Sequence, residues 1–385
     1  MKITIVMGFF LPVPPVAGGA VEKSWHRLAL EFARRGHDVT VISRHWSGWP
    51  EIEIQEGVTH FRIQGFNHTK KLWLNLLLDF IWNLRVFFRL PRADIVVVNS
   101  VSLPCWLGWL RPSAGRVVVM PGRMPKGQFR AYNHVALVMA TSTPVLTALN
   151  AESPRWSPIA RIYGYPVNAS AFTRPRSTSS VITIGFIGRI HPEKGLDLLV
   201  DALALLTSQN LPSWRALFCG PVEVAQGGSG PAYRDTLSIR LASALTPDRF
   251  TFSPPEFNEA ALAARYREID VFCYPSLATQ GETFGVAVVE AMAAGAVPVV
   301  SNLDCFRDFV RPGINGESFD HTHTDASAQL AGILAKLIID SGHRQALATQ
   351  AVIDAQSYDF PAYAERLLHD FTQLVSPLDR NAPLP

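Results

Sequence analysis

Short runs of β-branched and aliphatic residues alternate with segments whose apolar positions recur at helical spacing along most of the chain. Ile3–Met7 is an apolar run that ends at Gly8. A loop rich in proline and glycine follows, and then a helical pattern over Glu22–Arg35 with Trp25, Leu28, Ala29 and Phe32 on one face. Gly36 stops that helix, and Val39–Ser43 is the next strand. Asp94–Val98, Val117–Met120 and Val135–Ala140 are continuous apolar runs, as expected of strands covered on both faces.

The pattern breaks over residues 151–180. Pro154, Pro158, Pro166 and Pro175, followed by the polar run Ser177–Ser180, read as an interdomain linker. Alternation then resumes, with strands at Val181–Gly188, Arg215–Phe218, Arg249–Phe252, Val271–Tyr274 and Val297–Val300. Helices at Leu196–Thr207, Pro231–Leu245, Asn258–Glu268 and Phe284–Ala294 lie between them. The expected fold is α/β: two Rossmann-like, doubly wound parallel-sheet domains, 1–170 and 171–360, facing a central cleft. In the remaining segment, 361–385, a helix over Pro361–Leu374 either completes the second domain or crosses back to the first.

Composition narrows the class. With 385 residues, 48% hydrophobic and 17% charged, the chain is long enough for two cores and too apolar to be disordered. A net charge of +3, with no basic tract and no zinc-finger spacing, argues against nucleic acid as a partner. Cys105, Cys219, Cys273 and Cys305 are far apart and sit in or beside apolar runs. They read as small buried residues of a reducing compartment, which points to the cytoplasm. Met1–Val13 loosely resembles a signal peptide, but a first strand and its loop account for it better.

Two motifs carry chemistry. Gly281-Glu282-Thr283-Phe284-Gly285 leads into a helix ending at Gly295, and emerges from the carboxyl end of a strand closing at Pro275-Ser276. Backbone amides at such a helix start, around Thr283, Phe284 and Gly285, form an anion site that fits a diphosphate. Glu290 sits among Val, Ala and Met, and a carboxylate there needs partners, such as the two hydroxyls of a ribose. Glu282, on the loop over the helix start, could accept the hydroxyls of a sugar beyond the diphosphate. The second motif is Gly188-Arg189-Ile190-His191-Pro192-Glu193-Lys194-Gly195, directly after a strand. Arg189 and Lys194 on that loop suit phosphate neutralisation, although it is neither a P-loop nor a GxGxxG fingerprint. Gly18-Gly19, in the first loop of the first domain, are either a simple turn or a backbone that lets a phosphate or acceptor approach closely.

Together these residues resemble the family 4 retaining glycosyltransferases of GT-B fold, over nearly the whole chain. The likeness includes Gly18-Gly19, Arg35-Gly36-His37-Asp38-Val39, Tyr165-Pro166-Val167-Asn168, Gly188-Arg189 with Lys194-Gly195, the pair Glu282 and Glu290 at a spacing of eight, and Gly313-Ile314-Asn315-Gly316. The resemblance implies that Arg189 and Lys194 hold the donor diphosphate and stabilise the leaving nucleotide. It implies that Glu290 takes the ribose hydroxyls and Glu282, a catalytic residue with the two cations, the donor-sugar hydroxyls. It also implies a front-face retaining reaction with no protein nucleophile, no metal and no cofactor, the nucleoside-diphosphate sugar being a substrate. The expected reaction moves a hexosyl group to a saccharide or lipid-linked acceptor, in polysaccharide or cell-envelope glycan synthesis. A nucleotide-sugar epimerase of the same fold and a non-catalytic binding subunit are the rival readings. Many relatives place a histidine at the end of a central strand of the first domain. Here Val98-Asn99-Ser100 and Met120-Pro121-Gly122-Arg123 stand there instead, leaving Arg123, Lys126 and, more weakly, His134 as candidates.

Lys70–Arg89 is the most apolar stretch. Asn75, Asp79 and Asn83 recur every fourth residue and make one polar stripe, while the ends are basic and carry tryptophans. It is too interrupted to span a bilayer. Two readings stand: a helix in the cytoplasmic membrane interface that meets a lipid-linked acceptor, or a core helix of the first domain.

Overall fold

The computed structural model describes residues 1–173, 180–279 and 281–376. Most of the polar part of the expected linker (174–179), one residue of the loop before Gly281, and the tail 377–385 lie outside the described residues. The chain forms two compact units, Met1–Pro166 joined by the last helix, and Val167–Asp359.

The first unit runs β1 (Lys2–Val6), α1 (Ala20–Arg34), β2 (Asp38–Arg44), β3 (Ile52–Gln55), β4 (Val58–Ile63), α2 (Leu72–Arg89) and β5 (Ile95–Val98). It continues through α3 (Leu107–Leu110), β6 (Arg116–Val119), β7 (Val135–Ala140), α4 (Thr143–Glu152) and β8 (Ala160–Ile162). The second unit holds α5 (Ala169–Phe172), β9 (Ile182–Ile187), α6 (Leu196–Leu206), β10 (Trp214–Cys219), α7 (Pro231–Ala242), β11 (Phe250–Ser253) and α8 (Glu259–Arg267). After these come β12 (Val271–Tyr274), α9 (Val286–Ala293), β13 (Val297–Ser301), α10 (Asp304–Arg307), β14 (Glu317–Phe319), α11 (Ala326–Ile339) and α12 (Ser341–Ala355). The final helix, α13 (Phe360–Val375), packs in the first unit.

Both sheets are doubly wound. The first is ordered β3-β4-β2-β1-β5-β6-β7-β8, parallel except for the antiparallel edge strand β3. The second is ordered β11-β10-β9-β12-β13-β14 and is parallel throughout. In each, the order reverses beside the first strand, between β1 and β5 and between β9 and β12, where ligands of such sheets collect at the carboxyl ends.

Burial explains the strands: every residue of β5, β7, β9 and β12 is buried, because helices cover both faces. On one side of the first sheet Trp25, Leu28 and Phe32 of α1 pack with Tyr363, Leu367 and Phe371 of α13. On the other side Trp82 and Val86 of α2 and Val145 and Leu149 of α4 close the core. The Tyr163 hydroxyl donates to Asp370, and Arg161 pairs with the same carboxylate at 2.6 Å, so β8 and the turn after it are tied to the last helix.

Several elements depart from the sequence expectation. Residues 151–173 are not a bare linker, because β8 completes the first sheet and α5 belongs to the second unit. The polar, short strand β3 carries no alternation long enough to mark it. Cys105 is half-buried, whereas Cys219, Cys273 and Cys305 are buried; all four are free thiols.

The helix α2 lies inside out. Its polar stripe turns inward: Asn83 is fully buried, and Asp79 accepts hydrogen bonds from the Val101 amide (3.2 Å), the Ser102 amide (2.8 Å) and the Ser102 hydroxyl (2.7 Å). The outward face is apolar, with Leu72, Trp73, Leu76, Leu77, Phe80, Leu84 and Phe88 all exposed.

Candidate functional site

Both predicted loops leave the second sheet at its order reversal. The loop 188–195 follows β9, and the loop beginning at Pro275 follows β12, its neighbour. They are stitched together: the Leu277 amide donates to the Glu193 carbonyl at 2.8 Å. Gly195 makes this close approach possible. Its φ is +68°, and a Cβ there would lie 1.9 Å from the Pro275 carbonyl oxygen.

The stitching brings Lys194 to Glu282. Lys194 Nζ lies 2.7 Å from Glu282 Oε2, and both side chains are nearly buried. The ammonium also sits over the Tyr274 ring, 5.2 Å from its centroid. Ser276 Oγ donates to the same carboxylate oxygen at 3.1 Å. Burial first, and then the negative charge of Glu282, hold the Tyr274 phenol well above its usual range, so it stays a neutral donor. Glu282 thus accepts from an ammonium and from a hydroxyl.

Arg189 is arranged differently. Its side chain is more open, pairs with Glu193 and donates to the Gly227 carbonyl at 3.1 Å. Gly188 packs against Phe186 and Tyr274, and a Cβ there would lie 2.9 Å from the Phe186 ring.

The helix start expected to meet an anion lies later than the sequence suggests. Helix α9 opens at Val286, not Phe284. Phe284 is buried in a ring cluster with Phe309 (5.0 Å) and Tyr358 (5.3 Å), and Thr283 is half-buried beside it. Gly285, with φ +103°, makes the reversal, and a Cβ on it would meet the Phe306 ring at 2.6 Å. In the first turn of α9 the Val288 amide donates back to the Gly285 carbonyl at 3.0 Å, and the amides of Val286 and Ala287 stand ahead of it at the end of the helix. Glu290, on the second turn, accepts from the Tyr266 hydroxyl at 3.0 Å. So the protein supplies one of the donors that burial demands; the Tyr266 phenol is held far above its usual range by burial and by Glu290.

The first-unit candidates fare unevenly. Gly18 and Gly19 both have positive φ, +84° and +94°, and Gly19 caps α1 with Glu22 against it. Arg123 and Lys126 are exposed in the loop after β6. His134 immediately precedes β7, at the amino end of that strand and away from the edge where ligands collect. Asn315 of the Gly313–Gly316 turn is buried and bonds the Phe309 carbonyl and Asp354, a structural role. Sequence reasoning missed Tyr266, Ser276 and Glu193. The last stood inside a motif already singled out, four residues after Arg189.

Two family models, one on each unit, place the chain with the GT-B glycosyltransferases of the family 4 type. Residues 172–352 match the glycosyl transferases group 1, and residues 19–151 match the glycosyl transferase 4-like domain. Among similar proteins is the phosphatidyl-myo-inositol mannosyltransferase of Mycobacterium tuberculosis, 29% identical over 70% of this chain and 63% of that protein. A D-inositol 3-phosphate glycosyltransferase of Rhodococcus opacus is 34% identical over 51% of this chain and 41% of its own length. The matched stretch therefore spans less than two thirds of these relatives. Of solved structures, sucrose-phosphate synthase from Thermosynechococcus elongatus superposes with a TM-score of 0.73 at 19% identity, covering 97% of this chain and 98% of its own. HepE of Anabaena, solved with UDP and glucose, gives 0.68 at 18%, covering 97% and 100%. At these identities the likeness is one of fold.

Proposed function

We propose that the protein is a retaining glycosyltransferase that moves a hexosyl group from a nucleoside-diphosphate sugar to a saccharide or lipid-linked acceptor. The observation that carries this reading is the convergence of Arg189, Lys194, Glu282 and the start of α9 on the β9/β12 reversal. The cations and the helix start suit a diphosphate, and Glu290 and Glu282 suit hydroxyls on either side of it. As the glycosidic bond breaks, charge grows on the leaving phosphate oxygen, where Arg189 and Lys194 stand ready to stabilise it without a metal ion or cofactor.

The names of the relatives support an acceptor that carries an inositol or a lipid, within cell-envelope glycan or polysaccharide synthesis. The outward apolar face of α2 supports peripheral contact with the cytoplasmic face of a membrane through Lys70–Arg89. Among the described residues no helix is long and apolar enough to cross one.

Thermal melting with GDP, UDP, ADP and dTDP tests the donor half. At a hundredfold excess over Kd, the matching nucleotide adds about 2.7 kcal/mol of stability. No shift with any of the four would overturn the proposal.

A further inference from the structure

Arg189 is held from three directions. Its aliphatic stem lies on Gly227, where a Cβ would meet Cδ at 2.8 Å and where φ is +86°. One guanidinium nitrogen donates to the Gly227 carbonyl, and another pairs with the Glu193 carboxylate. Glu193 is itself fixed. Its amide donates to His191 Nδ1 at 3.2 Å, and its carbonyl accepts from Leu277 at 2.8 Å. The carboxylate therefore rides on a rigid turn and is not a loose surface partner.

An ion pair this open adds little to stability. Beside an anion site, moreover, the negative charge of Glu193 opposes the ligand. Arg189, Lys194, Glu193 and Glu282 sum to zero charge, whereas the site without Glu193 would carry one net positive charge. A free nucleoside diphosphate carries one more negative charge than the sugar-linked donor, because its terminal phosphate is no longer esterified. Excess positive charge would therefore favour the product over the donor.

We propose that Glu193 is a positioning residue with two effects: it orients the Arg189 guanidinium, and it keeps the affinity for the departing nucleotide low. This rests on the reading of Arg189 as a diphosphate ligand. The two effects separate in variants of the full chain. Glu193→Gln keeps a hydrogen-bond acceptor but removes the charge, whereas Glu193→Ala removes both. Calorimetric titration with GDP, UDP, ADP and dTDP, at low and high salt, should show the matching nucleotide binding Glu193→Gln about 3- to 10-fold more tightly, with the gain shrinking at high salt. Glu193→Ala should also bind it more tightly, yet hydrolyse the matching nucleotide sugar at least about tenfold more slowly, because the guanidinium has lost its brace. Wild-type binding with unchanged or weaker affinity in Glu193→Gln overturns this inference alone. Wild-type protein that binds none of the four removes the diphosphate reading and this inference with it.

Discussion

Lys194 and Glu282 form a nearly dry ion pair, 2.7 Å between Nζ and Oε2, that joins the loops after two neighbouring strands. A pair in this setting is costly to break one-sidedly, since the remaining charge keeps its desolvation without its partner. Lys194→Ala should therefore lower the stability of the second unit by about 3 kcal/mol, with Ser276 left as donor to Glu282. Transfer should fall by about 10²- to 10³-fold, since one of the two cations proposed to stabilise the leaving group is gone. Calorimetry and donor turnover check both. An unshifted melting temperature would show that the pair is not formed in solution.

Tyr266 and Glu290 make a second coupled pair. The hydroxyl that fixes Glu290 is fully buried, so Tyr266→Phe removes one hydrogen bond without opening a cavity. The loss is about 1 kcal/mol, or about fivefold in nucleotide affinity if the bound ribose needs Glu290 held in place. Glu290→Ala, which deletes the carboxylate proposed to accept the ribose hydroxyls, should weaken the same affinity by more than about tenfold. Titration with the matching nucleotide decides it: equal affinity in all three proteins would free Glu290 from any ligand role.

How much of this was readable from the chain depends on the range of the forces involved. Hydrophobic periodicity is local, so the buried runs of β5, β7, β9 and β12 announced a doubly wound α/β protein. The two charged loops could be placed at strand ends for the same reason. What was hidden is whatever depends on partners distant in sequence. Tyr266 meets Glu290 across 24 residues and Lys194 meets Glu282 across 88. Neither contact has a local signature. The start of α9 was misjudged because Phe284 fits a helical pattern, while the ring cluster that buries it and the φ of Gly285 are set by Phe306 and Phe309. Periodicity also gave α2 a polar stripe without saying which side it faces. Buried Asp79 and the amides of Val101 and Ser102 decide that.

His60 gives the first unit a pH response. It is fully buried on β4, and neither ring nitrogen has a hydrogen-bond partner. Burial first, then the Arg62 cation and the neighbouring His26, lower its pKa from 6.5 to about 4, against an opposing pull from Glu53. The unfolded chain thus binds a proton that the folded chain refuses, and stability falls as pH drops from about 6.5 towards 4. The loss amounts to about 2 kcal/mol between pH 7 and pH 5. His60→Leu should flatten that slope in denaturant melts across the same range. A slope equal to the wild-type one would assign the pH response to other groups.

The outward face of α2 makes the last prediction. Trp73, Phe80 and Phe88 stand exposed beside leucines, with Lys70 and Lys71 before the helix and Arg89 and Arg92 at its end. Asp79 is the one acid in residues 70–92, and it is buried. A second copy pairing on this face would bring cations against cations, whereas an anionic bilayer answers both the charge and the apolar surface. Sedimentation with vesicles of phosphatidylglycerol and phosphatidylcholine at low salt should therefore carry the protein down, and pure phosphatidylcholine should carry far less. Leu76→Glu with Phe88→Glu places charge on the docking face without touching the core, so binding should drop by about tenfold or more while the melting temperature stays put. Wild-type protein left in the supernatant with anionic vesicles would leave α2 without a bilayer partner.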